Sequence, residues 1–407
     1  MISRSIVVFT FGACRLCAQS PLSLADAIST ALRSRAVLQA SAEQVAVADG
    51  LKRQAGLFPN PEFQFQNENL RPGQTYTRDV DTLALINQPL DILGKRRERV
   101  AAAEETRGRA QADHQLARWQ LAQRVKLAYW TARGAQEVRN VWNTTQENFQ
   151  KIVDFHAARL STGAIAEQDF LRVRLEGERL KISYDLSALD ADKARLELYR
   201  EMGRTDFADA VLTESLESSA EVTPVGVEQV LARRADIQAA RAALRQAEAN
   251  VRLQEVNARP DLNATAGYKR TQLPDALTGV NTILASIRIT LPFIDKNQGN
   301  RAAAEAEVRR QRNLLSEAEA TVRADYAAAL QEYEFRRQEY RTRLQPLREH
   351  AEEITRIAAA AYNEGGTDLL RLLDAQRAGV EAELVRTEGL VAFRQSIARL
   401  ESAEGIE

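Results

Sequence analysis

Between residues 95 and 160 the apolar positions fall on a seven-residue repeat divided four and three: Leu121, Val125, Ala128, Ala132, Ala135, Trp142, Phe149 and Ile152. That spacing is the seam of a coiled coil. The stretch has no proline and is rich in Ala, Arg, Glu and Gln, all good helix formers. Gly108 and Gly134 are isolated, which a helix tolerates. One helix is predicted from Lys95 to Leu160, about 95–100 Å long at a rise of about 1.5 Å per residue. Such a helix suits a rod or a tube.

A second pattern has period two. Leu262, Ala264, Ala266 and Tyr268 alternate with Asn263, Thr265, Gly267 and Lys269. Ile283, Ala285, Ile287, Ile289 and Leu291 alternate with Leu284, Ser286, Arg288 and Thr290. Each run predicts a strand with one apolar and one polar face. Earlier in the chain Phe63-Gln64-Phe65-Gln66 begins a strand, and Thr82 to Leu90 is its expected partner. The loops 70–80 and 270–281 carry Pro, Gly and Asn as turns do.

Both patterns occur twice, with a period of about 200 residues. Ile28, Leu32, Ala36, Leu38 and Ala40 answer to Val227, Leu231, Ala235, Ile237 and Ala239. They open helices predicted over 24–57 and 227–258, each ending at a proline turn, with Pro61 falling on Pro260. The second long helix is predicted over 298–361, kinked at Pro346. The long helices end in glycine breaks, at Gly163 and at Gly365-Gly366, and returning helices follow over 165–202 and 367–402. The expected division is residues 1–18 as export signal, 19–203 as first repeat, 204–225 as linker and 226–407 as second repeat.

The signal reading rests on Arg4, the apolar run Ile6 to Ala13, and Leu16-Cys17-Ala18 before Gln19. A second reading makes Cys14 a lipidated N-terminus. Cys14 and Cys17 are the chain's only cysteines, so on simple cleavage the mature protein has no thiol, zinc thiolate or disulfide. Beyond the signal no apolar run reaches the 18 or more residues of a membrane-spanning helix, which excludes an α-helical transporter.

Charge is balanced, with Lys+Arg 55 against Asp+Glu 56, which gives no nucleic-acid surface. His114, His156 and His350 are too scattered for a metal or catalytic cluster, and no Ser/His/Asp set or carboxylate pair recurs at a working spacing. Neither an enzyme nor a cofactor is expected. Four short strands cannot close a barrel alone, and an open edge in lipid leaves N–H and C=O groups unsatisfied. The strands therefore form a small soluble sheet, or several chains pool them.

Helix, strand pair, long helix, glycine tip and returning helix, all repeated once, resemble the TolC family of outer-membrane efflux channels over nearly the whole mature chain. The local likeness is best at Phe58-Pro59-Asn60-Pro61-Glu62-Phe63 and from Gly365 to Arg377. The first stretch, with Asn67-Glu68-Asn69 after it, is most similar to the branch that works with heavy-metal resistance pumps. The resemblance implies a mainly α fold with a small β part and an internal twofold repeat. It also implies a homotrimer with a twelve-strand β-barrel, four strands per chain, in outer-membrane lipid and a long coiled-coil α-barrel in the periplasm. A periplasmic adaptor and an inner-membrane pump of the RND type are the implied partners. In such a barrel Leu262, Ala264, Ala266, Tyr268, Ile283, Ala285, Ile287 and Ile289 are expected to face lipid, and Asn263, Thr265, Arg288 and Thr290 a wet lumen. A periplasmic coiled-coil adaptor is the alternative, but it should show one hairpin flanked by β-rich modules.

The candidate gate lies at the tips: Asp169 on one, Tyr362, Asp368, Arg371 and Asp374 on the other. In the family pattern two aspartates three residues apart ring the tunnel mouth and an arginine braces the closed state. Here Asp374 keeps one aspartate place, Arg371 fills the other, and Thr367 stands where the arginine is expected. Two readings are open: Arg371 forms an intrahelical surface pair with Asp368 or Asp374, or it braces the tip by pairing with Asp169 or with an aspartate of a neighbouring chain.

Overall fold

The computed structural model describes residues 20–70, 72–73, 80–217, 222–272 and 279–407. The export signal, Cys14, residues 71, 74–79 and 273–278 of the predicted strand-connecting loops and Ser218-Ser219 of the linker lie outside the described residues. The chain divides into two compact units, formed by the described parts of Met1–Ala36, Arg118–Gly226 and Asp325–Glu407, and of Val37–Ala117 and Val227–Ala324.

The order of elements is β1 (Ser20–Leu22), α1 (Leu24–Ser34), α2 (Ala36–Ala55), β2 (Glu62–Glu68), β3 (Asp81–Leu90), α3 (Lys95–Ser161), α4 (Glu167–Met202) and β4 (Ala210–Leu212). Then come α5 (Val227–Arg233), α6 (Ala235–Asn257), β5 (Asp261–Thr271), β6 (Val280–Thr290), α7 (Gln298–Glu339), a π-helical turn (Tyr340–Leu344), α8 (Gln345–Asn363) and α9 (Leu369–Ala403). The long helix forms without interruption over 67 residues. None of the described helices is long and apolar enough to cross a membrane.

Three places differ in detail from the expected elements. The helices predicted over 24–57 and 227–258 are each broken. Arg35 (φ −72, ψ 115) separates α1 from α2, and Arg234 (φ −56, ψ 126) separates α5 from α6. No glycine or proline marks either place. Side-chain bonds fix the extended residues instead: Arg35 donates to the Arg200 carbonyl at 2.6 Å, and Arg234 clasps Asp236 at 3.1 and 2.6 Å. Second, the 204–225 linker holds a strand. β4 pairs in parallel with β1, Ser20 opposite Ala210. Third, the irregularity attached to Pro346 is a π turn immediately before it, which accommodates a proline that cannot donate to the turn behind it.

In the first unit, tyrosines on the helices hold these connecting segments. Tyr129 donates to the Leu22 carbonyl at 2.9 Å, Tyr199 to Ala208 at 2.8 Å and Tyr326 to Val225 at 2.5 Å. Arg394 lies over the Trp130 ring and donates to the carbonyls of Ser215, Leu216 and Glu217. Irregular backbone thus has its polar groups satisfied against a helical core of Leu121, Val125, Leu198, Met202 and Leu400. In the second unit the first turn of α3 completes the end of α2: Arg96 donates to the Gly56 carbonyl at 2.6 Å and Arg99 to that of Ala55 at 2.9 Å. Cations there satisfy orphan carbonyls and oppose the helix dipole.

Glycine shows the duplication most clearly. The four helical legs α3, α4, α8 and α9 end in left-handed glycines, Gly163 (φ 72), Gly203 (φ 70), Gly365 (φ 75) and Gly405 (φ 79). At each, the residue after the glycine donates back across the last turn, as Ala164 does to Arg159 and Gly366 to Ala361. This is the Schellman ending, which a glycine adopts without strain. Gly163 and Gly203 stand at the same offset from Gly365 and Gly405.

Candidate functional site

Two regions bear on function, one in each unit. In the second unit, β2, β3, β5 and β6 form a four-stranded antiparallel sheet in that order. Register sorts its side chains, because residues directly opposite share a face. Phe63, Ile86, Ala266 and Ala285 make one row, and Phe65, Ala84, Tyr268 and Ile283 the next. Leu90, Leu262 and Ile289 make another, and Gln88 with Ala264 and Ile287 a fourth. The eight residues expected to face lipid thus lie on one face, and Asn263, Thr265, Arg288 and Thr290 lie on the other.

The apolar face is exposed, and on the edge strand β6 the polar face is exposed as well. Ile283 is 89% exposed, Phe63 70% and Ile287 69%, whereas Leu83 and Leu85 on the opposite face are 8% exposed. The opposite face carries a hydrogen-bonded track. Thr265 donates to Asn87 at 2.7 Å, Asn87 to Gln64 at 3.3 Å, Gln64 to Gln66 at 2.9 Å and Gln66 to Glu68 at 3.2 Å. Gly267 allows tight strand contact, since a Cβ there would run into the Ala84 carbonyl. Among the described residues β2 and β6 are the edges of this sheet, each paired on one side only.

The second region is the pair of tips in the first unit. Asp368 is the N-cap of α9, its carboxylate accepting from the Arg371 backbone N–H at 3.0 Å. Its partner is therefore the main chain of Arg371 and not the guanidinium. That guanidinium is exposed and makes no ion pair with Asp169, Asp368 or Asp374 among the described residues. Asp374 is an exposed member of a loose 3.9 Å pair with Arg377. Asp169, half-buried, lies in the first turn of α4, where a carboxylate suits the helix dipole.

Tyr362 is engaged with a residue that the sequence did not single out. His156 is 1% exposed. Its Nδ1 lies 2.8 Å from the Ile152 carbonyl, which can only accept, so Nδ1 carries the proton. Nε2 is then an acceptor, and the Tyr362 hydroxyl donates to it at 2.8 Å. The two rings stack with centroids 5.8 Å apart.

A second clasp joins α4 to α9. Arg377 grips Glu176 with Nε to Oε1 at 2.8 Å and Nη2 to Oε2 at 2.5 Å. The Glu176 side chain is 11% exposed, and Arg179 approaches it at 3.7 Å. The Arg377 hydrogen bond holds the Glu176 carboxyl below its ordinary range against the opposing effect of burial. Beside the clasp Phe149, Val173 and Leu373 form an apolar cluster, with Ile152, Val153, Leu180 and Leu369 around it. His156 falls seven residues after Phe149, and Glu176 sits between Val173 and Leu180, so both occupy coiled-coil seam positions. A polar residue on an apolar seam was the available signal.

The four-stranded sheet and the long helical hairpins are the features by which this chain compares with proteins of known class. The model of the outer membrane efflux protein family matches residues 27–204 and 226–405, and the chain belongs to that family. The two matched segments correspond to the two halves of the duplication. The cobalt-zinc-cadmium resistance protein CzcC of Cupriavidus metallidurans is 26% identical over 90% of this chain and 86% of its own. Among solved structures, the Campylobacter jejuni CmeC outer membrane channel superposes with a TM-score of 0.76 at 18% identity, covering 94% of this chain and 85% of that one. The open-state Neisseria gonorrhoeae MtrE channel gives 0.74 at 23% identity, covering 94% and 89%. The fold is that of the TolC-like channels, and the chain is an outer-membrane efflux protein.

Proposed function

We propose that three copies of this chain form a passive duct for divalent metal cations, leading from the periplasm through the outer membrane. Three four-stranded sheets pool into a twelve-strand barrel, and the helical hairpins line a tunnel. A periplasmic adaptor and an inner-membrane pump of the RND type dock at the tips and supply the energy. The tips, with Asp169, Tyr362, Asp368, Arg371 and Asp374, are where the duct closes. The chain does no covalent chemistry of its own.

The observation that carries this reading is the open-edged sheet with its exposed apolar face. Apolar side chains such as Ile283 and Ile287 are stable in hydrocarbon, but the unpaired groups of β2 and β6 are not. Further copies that pair β6 of one chain with β2 of the next remove both edges. The metal cargo is supported by the likeness to a cobalt-zinc-cadmium resistance protein along most of both chains. Deleting the gene in its native host tests the cargo. Growth should become sensitive to zinc, cobalt or cadmium with drug tolerance unchanged, and sensitivity to drugs alone would refute the metal assignment.

A further inference from the structure

We propose that the polar notch between α3, α4 and β4 binds the zwitterionic end of an α-amino acid, with its carboxylate on Arg139 and its ammonium on Asp192 and Asp209. The notch lies wholly within the first unit, and the site itself does not depend on the channel reading.

β4 sets one wall. Its ladder to β1 is parallel, and the Thr213 N–H donates to the Leu22 carbonyl at 3.3 Å. Backbone direction alternates along a strand, so Val211 also turns its N–H and C=O toward β1, while Ala210 and Leu212 turn theirs away. Leu212 is met there by the Gln136 side chain of α3. The glutamine Oε1 accepts from the Leu212 N–H at 3.0 Å, and its Nε2 donates to the Leu212 carbonyl at 3.3 Å. One side-chain amide thus fills the place of a third strand. Ala210 is only 8% exposed and lines the notch, and its backbone has no such partner among the described residues. A buried N–H and C=O call for a partner. Gln136 ends the open edge after one residue, which suits a single amino acid rather than a run of peptide.

The charges select the ligand. Arg139 follows Gln136 by three residues on α3 and lines the same cavity of 240 Å³. It is half-buried and makes no hydrogen bond or ion pair among the described residues. A shielded guanidinium of this kind suits a carboxylate. Arg195 on α4 is shared by Asp192 at 3.1 Å and Asp209 at 2.5 Å, and its Nε is buried without a hydrogen bond. One guanidinium cannot neutralise two carboxylates, so this group keeps one negative charge. A simple anion would meet the aspartates and a simple amine would meet Arg139; a group bearing both charges satisfies both. The cavity is larger than one water needs and smaller than the about 300–1,000 Å³ of sites for drug-sized ligands. Two sources carry this chemistry. One is a free amino acid. The other is a diamino acid in the peptide branches of the bacterial cell wall, which keeps a free amino-acid end wherever it is not cross-linked. Only this second source rests on the channel reading, which puts the helices in the periplasm.

Calorimetric titration of the purified full-length protein with free alanine, N-acetylalanine and alaninamide tests the site. Alanine should bind saturably, and each blocked compound should bind about ten-fold more weakly or worse, having lost one charge-assisted contact. Arg139→Gln should weaken alanine binding by a similar factor and leave the melting temperature unchanged, and Arg139→Lys should keep part of the affinity. In the parent, alanine should slow hydrogen exchange at residues 208–212, a readout that needs no variant. Soluble cell-wall fragments with a free diamino-acid end that bind more tightly than alanine would identify the wall as the source, and fragments that bind no more tightly would identify the free amino acid. Equal binding of the three compounds, no binding of alanine or fragments, or unchanged affinity in Arg139→Gln would overturn the site. None of these results reads conduction, so the channel reading stands or falls separately.

Discussion

A charge placed on the apolar face of the sheet should damage the protein, and one on the reverse face should not. Ile287 is 69% exposed, pairs with Ala264 and is flanked on its own face by Ala285 and Ile289. It lies two residues from the middle of β6 (Val280–Thr290). At about 3.3 Å per residue, that is about 7 Å along the strand. A strand tilt of about 35–45° brings this to about 5 Å from the bilayer midplane. A lysine at that depth costs about 2–3 kcal/mol per chain, and a trimer bears it three times. Thr290 lies on the polar face opposite Asp261, where a lysine should change stability by less than about 0.5 kcal/mol. The yield in the outer-membrane fraction and the temperature at which the assembly dissociates should both fall for Ile287→Lys and stay near parental for Thr290→Lys. Equal behaviour of the two variants would show that this face does not contact lipid.

The glycine endings and the clasp give two further expectations. Gly365→Ala forces a side chain into a left-handed conformation (φ 75), which should cost about 1–2 kcal/mol in denaturant unfolding. Gly366→Ala meets only ordinary contact and should cost less, so a larger loss at Gly366 would contradict the assigned ending. The clasp contributes stability above the unfolded carboxyl value near 4.5, because Arg377 lowers the folded value of Glu176. That contribution is lost as pH falls through the folded value, below 4.5. The difference in melting temperature between the parent and Glu176→Gln should therefore hold constant from neutral to mildly acidic pH and shrink only below that range. A difference that vanishes near neutrality would refute the pairing.

How much of this was legible in the chain depends on the range of the interactions involved. Ala264 and Ile287 declare a strand face because alternation is local to the strand. Gly163 and Gly365 declare hairpin ends because only glycine takes the left-handed turn without strain. Arg35 and Arg234 hide their breaks, since arginine is a good helix former and is pulled out of the helix by Arg200 and Asp236. β1 and β4 are three residues each, too short for any period, and depend on Tyr129 and Gln136 far along the chain. At the tip, Asp169, Tyr362, Asp368, Arg371 and Asp374 are legible only as polar residues close to the glycine breaks. Partner choice depends on which helices abut, so the engagement of Tyr362 with His156 and of Arg377 with Glu176 emerged only from the fold.

Passive conduction is most directly tested with the purified full-length protein in liposomes that enclose a zinc-sensitive dye. Zinc added outside, with neither ATP nor a proton gradient present, should enter down its gradient at a rate proportional to the number of assembled channels. Liposomes that carry inserted, assembled protein and remain sealed to zinc and to smaller ions would contradict a duct.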